Sequence, residues 1–248
     1  MKKISLISLS VTLLLASSNA VFSQDRQRQT IRTSSTQINV SEMANDELQY
    51  LLPEKTEGTI YFKDGKIAEY KMNYNFLLDE VHIQTRRGRV NRLLLSPPFT
   101  KIDINDKTLV HDVEEGYLEQ LFSGKINLYI KHKTDISTLP VKRGAYGGTD
   151  HTSSIQQTTI QQQGAQYHSK EVRLENPQAQ DLEVTIRYQN HFVFEKNGDK
   201  TNVNSRRQLQ RVFSEHRRDI RSFCRENDID FDDPEDMIKV VKFIESLE

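Results

Sequence analysis

The residues whose types could carry chemistry are seven histidines, one cysteine and a concentration of arginines near the carboxyl end. His82, His111, His132, His151, His168, His191 and His216 are scattered. They form no His-Glu-x-x-His pair or other metal-ligand spacing. His151 follows Asp150 directly, the one adjacent pair that suggests a hydrolase base. A lone histidine still needs converging partners before it can move a proton. No Gly-x-Ser-x-Gly elbow, phosphate-binding loop or Gly-x-Gly-x-x-Gly turn occurs. Cys224 falls on the apolar side of a helical pattern, which predicts a buried, inert thiol. Arg221 and Arg225 lie close to it in sequence and are the only hint of activation. Asp228, Asp230, Asp232 and Asp233 resemble the start of a calcium loop. The sixth position is Asp233 where the turn needs Gly, and the twelfth is Lys239 where a bidentate Glu is needed. The acidic run therefore reads as a linker that caps a helix. No catalytic residue, metal site or cofactor is expected.

The strongest electrostatic feature is the arginine set. Arg206, Arg207, Arg211, Arg217, Arg218, Arg221 and Arg225 lie within one helical stretch. Arg207, Arg211, Arg218, Arg221 and Arg225 share a side by three-and-four spacing. The plain reading is a solvated face balanced by Glu215, Asp219 and the acidic linker. The functional reading is an anion-binding face for lipid head groups or an acidic protein.

The elements that position these residues are mostly strands. From Glu57 apolar residues recur with period two. Ile60 and Phe62 share a face, then Lys63-Asp64-Gly65-Lys66 makes a hairpin turn. Tyr70, Met72, Tyr74 and Phe76 alternate with Lys71, Asn73 and Asn75, predicting a strand wetted on one face. Val81 and Ile83 alternate with His82 and Gln84, and Arg86-Arg87-Gly88-Arg89 turns. Val90 to Leu95 and the Ile102/Ile104 pair give further strands. Tyr117 to Phe122 and Lys125 to Lys131 form a hairpin around Ser123-Gly124, with Ile126, Leu128 and Ile130 inward. A Gly-, Ser-, Thr- and Gln-rich tract at about 143–169 predicts a mobile loop with little fixed structure. Sheet resumes at Leu182, and a last hairpin from His191 to Val203 turns at Asn197-Gly198. Ser205 and Gln208 then form a capping box. Leu209, Val212, Phe213, His216, Ile220, Phe223 and Cys224 predict one amphipathic helix ending at Asn227. Asp233 caps a second, with Pro234 at its first position. The expected fold class is α+β: an antiparallel sandwich or partly closed barrel of about 9–12 short strands. The helical hairpin at 204–248 would pack on the β domain at 57–203.

Composition bounds the rest. The chain has 248 residues, 34 Lys+Arg against 35 Asp+Glu, and no Trp. A formal charge of −1 argues against nucleic acid as a partner. One Cys rules out an intramolecular disulfide. Lys2 and Lys3, the short apolar run from Ile4 to Leu15, and the small residues through Ala20 have the layout of a secretory signal peptide. Cleavage could follow Ala20 or Ser23; Ser23 is preferred and would leave Gln24 as the new terminus and a mature charge of −3, from 32 basic and 35 acidic residues. No Cys lies near that point, so lipid anchoring is not expected. Residues 24–56 read as a flexible leader. No later stretch has the length and apolarity of a transmembrane helix.

Three tracts, Gly58-Thr-Ile-Tyr-Phe-Lys-Asp-Gly65, Tyr70-Lys-Met-Asn-Tyr-Asn-Phe-Leu-Leu-Asp-Glu-Val81 and Tyr117-Leu-Glu-Gln-Leu-Phe-Ser-Gly-Lys-Ile-Asn-Leu128, precede the helical tail. In this order they resemble an uncharacterised family of exported, β-rich cell-envelope proteins of Bacteroidetes-type bacteria. The resemblance spans about Gly58 to Leu247. It implies a periplasmic or outer-envelope protein and carries over no catalytic residue. The expectation is a non-enzymatic binding or scaffolding module whose partner is an envelope protein or an anionic lipid surface. A hydrolase without a recognisable motif is the remaining alternative.

Overall fold

Tight turns and alternating apolar side chains lay most of this chain into one long antiparallel sheet, with a separate three-stranded sheet. The computed structural model describes residues 28–33, 37–96, 98–143, 149–150, 157–162, 168–173 and 181–248. The expected signal peptide lies outside the described residues. The elements begin with β1 (Arg28–Thr33), β2 (Gln37–Asn39) and α1 (Val40–Met43). β3 (Thr56–Phe62), β4 (Ile67–Asn75), β5 (Glu80–Gln84) and β6 (Val90–Arg92) follow. Then come β7 (Phe99–Ile104), β8 (Lys107–Asp112), β9 (Gly116–Phe122) and β10 (Ile126–Arg143). β11 (Thr149–Asp150), β12 (Gln157–Gln162), β13 (His168–Arg173), β14 (Asp181–Lys196) and β15 (Asp199–Val203) complete the strands. The tail holds α2 (Arg206–Val212), α3 (Arg217–Glu226) and α4 (Pro234–Leu247).

The main sheet runs β1-β14-β10-β9-β8-β7-β3-β4-β5-β6, with β11 beside β10 and β15 beside β14; the separate sheet has the order β12-β13-β2. Its turns are those the sequence marks. Asn197 and Gly198 both take positive φ (54° and 87°), which gives the β14–β15 hairpin the backbone twist its strands need. One face carries three neighbouring cores. Ile60, Met72, Tyr74, Ile102, Ile104 and Leu109 fill the concave side of the curled β3–β9 region. Ile126, Leu128, Ile130, Phe192 and Phe194 meet Leu209, Phe213, Ile220, Met237 and Val241 of the helices. Ile38, Val40 and Leu48 cover Val184 and Ile186.

The sheet curls far enough for its β4–β5 turn to touch β9 and β10, although no continuous ladder joins its ends. Asp79 in that turn accepts from Lys131 Nζ at 2.8 Å and from the Tyr117 backbone N–H at 3.2 Å. The architecture is therefore an open, curled antiparallel sheet with a packed helical hairpin, as the sequence predicts. The hairpin is held by more than apolar contact. Glu245 Oε1 of α4 accepts the Ile126 N–H at 2.8 Å, filling the notch beside Gly124. Glu245→Ala should lower stability by about 1–2 kcal/mol, because a backbone donor loses a charged acceptor. A urea melt measures this directly, and no change would mean that apolar packing alone docks α4.

Four features differ from expectation. The stretch expected as a flexible leader contains β1, which pairs with β14 from Arg28↔Arg187 to Thr33↔Leu182. Inside the tract expected as a mobile loop, β12 pairs with β13, and β13 with β2. Backbone ladders tolerate polar sequence, and Thr158, Thr159 and Ile160 are good strand formers. The strands are not all short: β10 has 18 residues and β14 has 16, paired from Ile126↔Lys196 to Val141↔Asp181. The second face of β4 is wet only in its first half, where Glu69 and Lys71 are exposed. Asn73 and Asn75 are buried. Asn73 accepts the Leu52 N–H and donates to the Leu52 carbonyl. Asn75 Oδ1 accepts the Leu78 N–H.

Candidate functional site

The expected Ser205 cap forms: Ser205 Oγ accepts the Gln208 N–H at 3.4 Å, while Gln208 Oε1 reaches one residue past the cap and accepts the Asn204 N–H at 2.7 Å. The single helix expected from here to Asn227 is interrupted. Phe213 (φ −109°, ψ 63°) ends α2, and a 3-10 turn at Ser214–His216 leads into α3. Phe213 leaves the helical path because its ring is buried against Phe194, centroid to centroid 5.9 Å. Arg217 spans the break, donating from Nε to the Gln210 carbonyl.

Arg207 and Arg211 thus sit on α2, and Arg218, Arg221 and Arg225 on α3. All five are exposed. None makes an ion pair with another described residue, so the balancing contacts expected from Glu215, Asp219 and the linker do not form at contact distance. On α3, Arg218, Arg221 and Arg225 follow i, i+3, i+7 spacing along one side. Asp219 and Glu226 lie along another, and Ile220 and Cys224 face the core. A depression open to solvent is lined by Ser214, Glu215, Arg217, Arg218 and Asp219. A second is lined by Glu57, Gly58, Thr59, Glu69, Asp103 and Asn105.

The acidic linker ties itself together. Asp230 Oδ1 accepts the Asp232 N–H, and Asp236 Oδ2 accepts the Asp230 N–H. Asp233 accepts the Glu235 N–H as cap, with Pro234 at the first position of α4. Among the described residues no group of three His, Cys, Asp or Glu side chains could hold a metal ion. Cys224 is buried; burial pushes its thiol up, and nearby Arg206 only partly offsets this.

The most ordered polar cluster is one that sequence reasoning missed. Glu119 on β9, His132 on β10 and Tyr188 on β14 lie on adjacent strands. Glu119 Oε2 is 2.7 Å from His132 Nε2, and His132 Nδ1 is 2.5 Å from Tyr188 Oη. Glu119 Oε1 accepts from Lys107 Nζ at 2.7 Å. Burial works to raise the Glu119 carboxyl, but hydrogen bonds and charge from His132 and Lys107 outweigh it and hold it below the usual range. An acid–imidazole–hydroxyl chain is the geometry by which an enzyme activates a nucleophile.

Comparison with protein-family models, curated proteins and solved structures gives no match. The chemistry of the cluster must therefore be judged from its surroundings. His132 is 8% exposed and Glu119 4%. Tyr74, Phe76 and Tyr188 rings surround the imidazole at 5.9–6.5 Å. Each imidazole nitrogen and each carboxylate oxygen has a partner. The cluster occupies the seam where the three cores meet and braces three adjacent strands, with Glu119 and His132 buried and Tyr188 half-buried.

A second cluster surrounds Asp79, which also takes the Tyr74 hydroxyl at 2.7 Å. Burial first, then the Asp79 charge, pushes Tyr74 well above its ordinary pKa, so it stays a neutral donor. His82 sits among Tyr50, Glu80 and Arg92. His111 and His191 are half-buried, and burial pushes both down. Asp150 lies in β11 opposite Lys142, while His151 lies outside the described residues. Among the described residues no helix is long and apolar enough to cross a membrane.

Proposed function

We propose that this chain is an exported, envelope-associated binding or scaffolding module without catalytic turnover of its own. One observation carries the reading. In the triad-like arrangement found among the described residues, Glu119–His132–Tyr188, the acid and the imidazole are buried and both imidazole nitrogens are taken by internal partners. A catalytic base needs a free lone pair at a place a substrate can reach. The open depressions offer no enclosed, water-excluded volume of the kind small-molecule sites use. The signal-peptide layout of residues 1–23 and the resemblance to envelope proteins support export. The rigid sheet then serves to present surfaces. The purified mature chain is expected to show no turnover in broad hydrolase screens. Tyr188→Phe, which keeps the ring and removes the hydroxyl, is the decisive variant. Turnover that vanishes in Tyr188→Phe while its melting temperature holds would overturn the reading.

A further inference from the structure

We infer that the arginine face of α2 and α3 is a docking surface for the phosphate groups of an anionic lipid layer. This rests on the binding-module reading and names its partner. Residues 204–226 hold seven Arg against three carboxylates. The whole chain is −1, so the rest of the molecule is net acidic. The positive charge is therefore confined to α2 and α3, because residues 227–248, the linker and α4, carry eight carboxylates against two Lys. A planar anionic surface attracts the arginines and repels the acidic linker that follows them, which fixes orientation as well as affinity.

The shape of the face selects among anionic partners. Arg218, Arg221 and Arg225 follow one side of α3, while Arg207 and Arg211 lie on α2, beyond the break at Phe213. All five are exposed and unpaired with any described residue. A folded acidic protein or peptide binds tightly by seating apolar or aromatic anchors in pockets. Here the apolar sides of both helices are already in the core, with Leu209, Ile220 and Cys224 buried. What remains is a spread of guanidinium forks, which suits a lateral array of phosphates. The other apolar side chains, Val212 and Phe223, also pack against this core, Phe223 stacked on Phe243 at 4.1 Å, so no exposed large apolar side chain of these helices faces the acyl region. Contact is electrostatic and peripheral, unlike that of an amphipathic helix lying in the interface.

The test uses the mature full-length chain and sedimentation with vesicles. One set is pure phosphatidylcholine; the other is phosphatidylcholine mixed with phosphatidylglycerol. Binding is expected only to the mixed vesicles, falling steeply with added salt. Arg218→Glu combined with Arg225→Glu should weaken it by roughly tenfold or more. Asp219→Lys combined with Glu226→Lys, on a different side of α3, should not weaken it. All four positions are exposed, and unchanged circular dichroism confirms folding; Arg218→Gln with Arg225→Gln replaces the reversal pair if it fails to fold. Equal binding to pure phosphatidylcholine, no binding, or indifference to the arginine changes overturns the inference. So does polyglutamate that displaces the protein at lower charge concentration than the vesicles require, since an acidic protein is then the better occupant. Each of these outcomes leaves the non-catalytic reading standing, because that reading falls only on turnover.

Discussion

Replacing Glu119 by alanine is expected to lower the unfolding free energy by about 3–5 kcal/mol, among the largest single effects in the protein. The carboxylate is nearly inaccessible and holds two donors, Lys107 Nζ and His132 Nε2, both at 2.7 Å. Lys107, 29% exposed at its side chain, can turn toward water. His132 cannot, so most of the cost falls on an imidazole N–H left without an acceptor in the seam between three cores. Glu119→Gln preserves volume and one acceptor oxygen and should cost less than half as much. The same group predicts a pH effect of definite sign. Its carboxyl is held below the ordinary range in the folded state. Its contribution is therefore complete above the unfolded-state pKa of about 4.3 and is lost as pH falls through the folded value. Urea melts of wild type and Glu119→Gln should differ most at neutral pH and converge in acid. A constant gap across that range would show that Glu119 acts through shape alone.

What the sequence made legible follows the range of the interactions. Turns set by one or two residues were plain: Asn197-Gly198, the Asp64-Gly65 pair, and the Ser205 and Asp233 caps. Ile60, Ile102 and Ile104, whose alternation is local, are fully buried as expected. Cys224 likewise lies inside, as its helical phase required. The Glu119–His132–Tyr188 chain was not legible, because its members are brought together by β9–β10–β14 pairing and no local spacing encodes that. The nearest hint was polar residues interrupting the inward positions of two otherwise apolar strands: Glu119 between Tyr117 and Leu121, and His132 following Ile126, Leu128 and Ile130. The same reason explains β1. Arg28–Thr33 has one strongly apolar residue, Ile31, and becomes a strand only because β14 offers a free edge. Helix α2 ended early because Phe213 gains more by packing on Phe194 than by continuing a helical turn, a tertiary preference that periodicity cannot register. The arginine set was found by composition and spacing, while its division between two helices was not.

Asp79 should prove the second sensitive position, and its variants separate charge, acceptor and backbone. It sits at φ 57°, a left-handed conformation that costs a non-glycine residue about 1 kcal/mol or more. The fold accepts that strain because Oδ1 gathers the Tyr74 hydroxyl, the Lys131 ammonium and the Tyr117 N–H. These contacts pin the β4–β5 turn across the concave face onto β9 and β10, where no backbone ladder does so. Asp79→Ala keeps the strain and loses the acceptor, and should cost about 2–4 kcal/mol. The figure is held down because the Asp79 side chain is 40% exposed and its charge partly screened. Asp79→Gly removes the strain and should recover about 1 kcal/mol of that. Asp79→Asn keeps an acceptor and tolerates the left-handed backbone, so it should fall between Asp79→Gly and wild type. Gly116 closes the cluster from the other side. At φ 75° its added Cβ would come within 1.9 Å of Asp79 Oδ2, so Gly116→Ala must push the carboxylate off Lys131. Combining Asp79→Ala with Lys131→Met should cost clearly less than the separate losses together, since each change alone strands the other's partner. Strict additivity in that cycle, read by urea melts with tyrosine near-ultraviolet dichroism, would mean that the curl is held by the apolar core beneath it and that Asp79 is incidental to the pin.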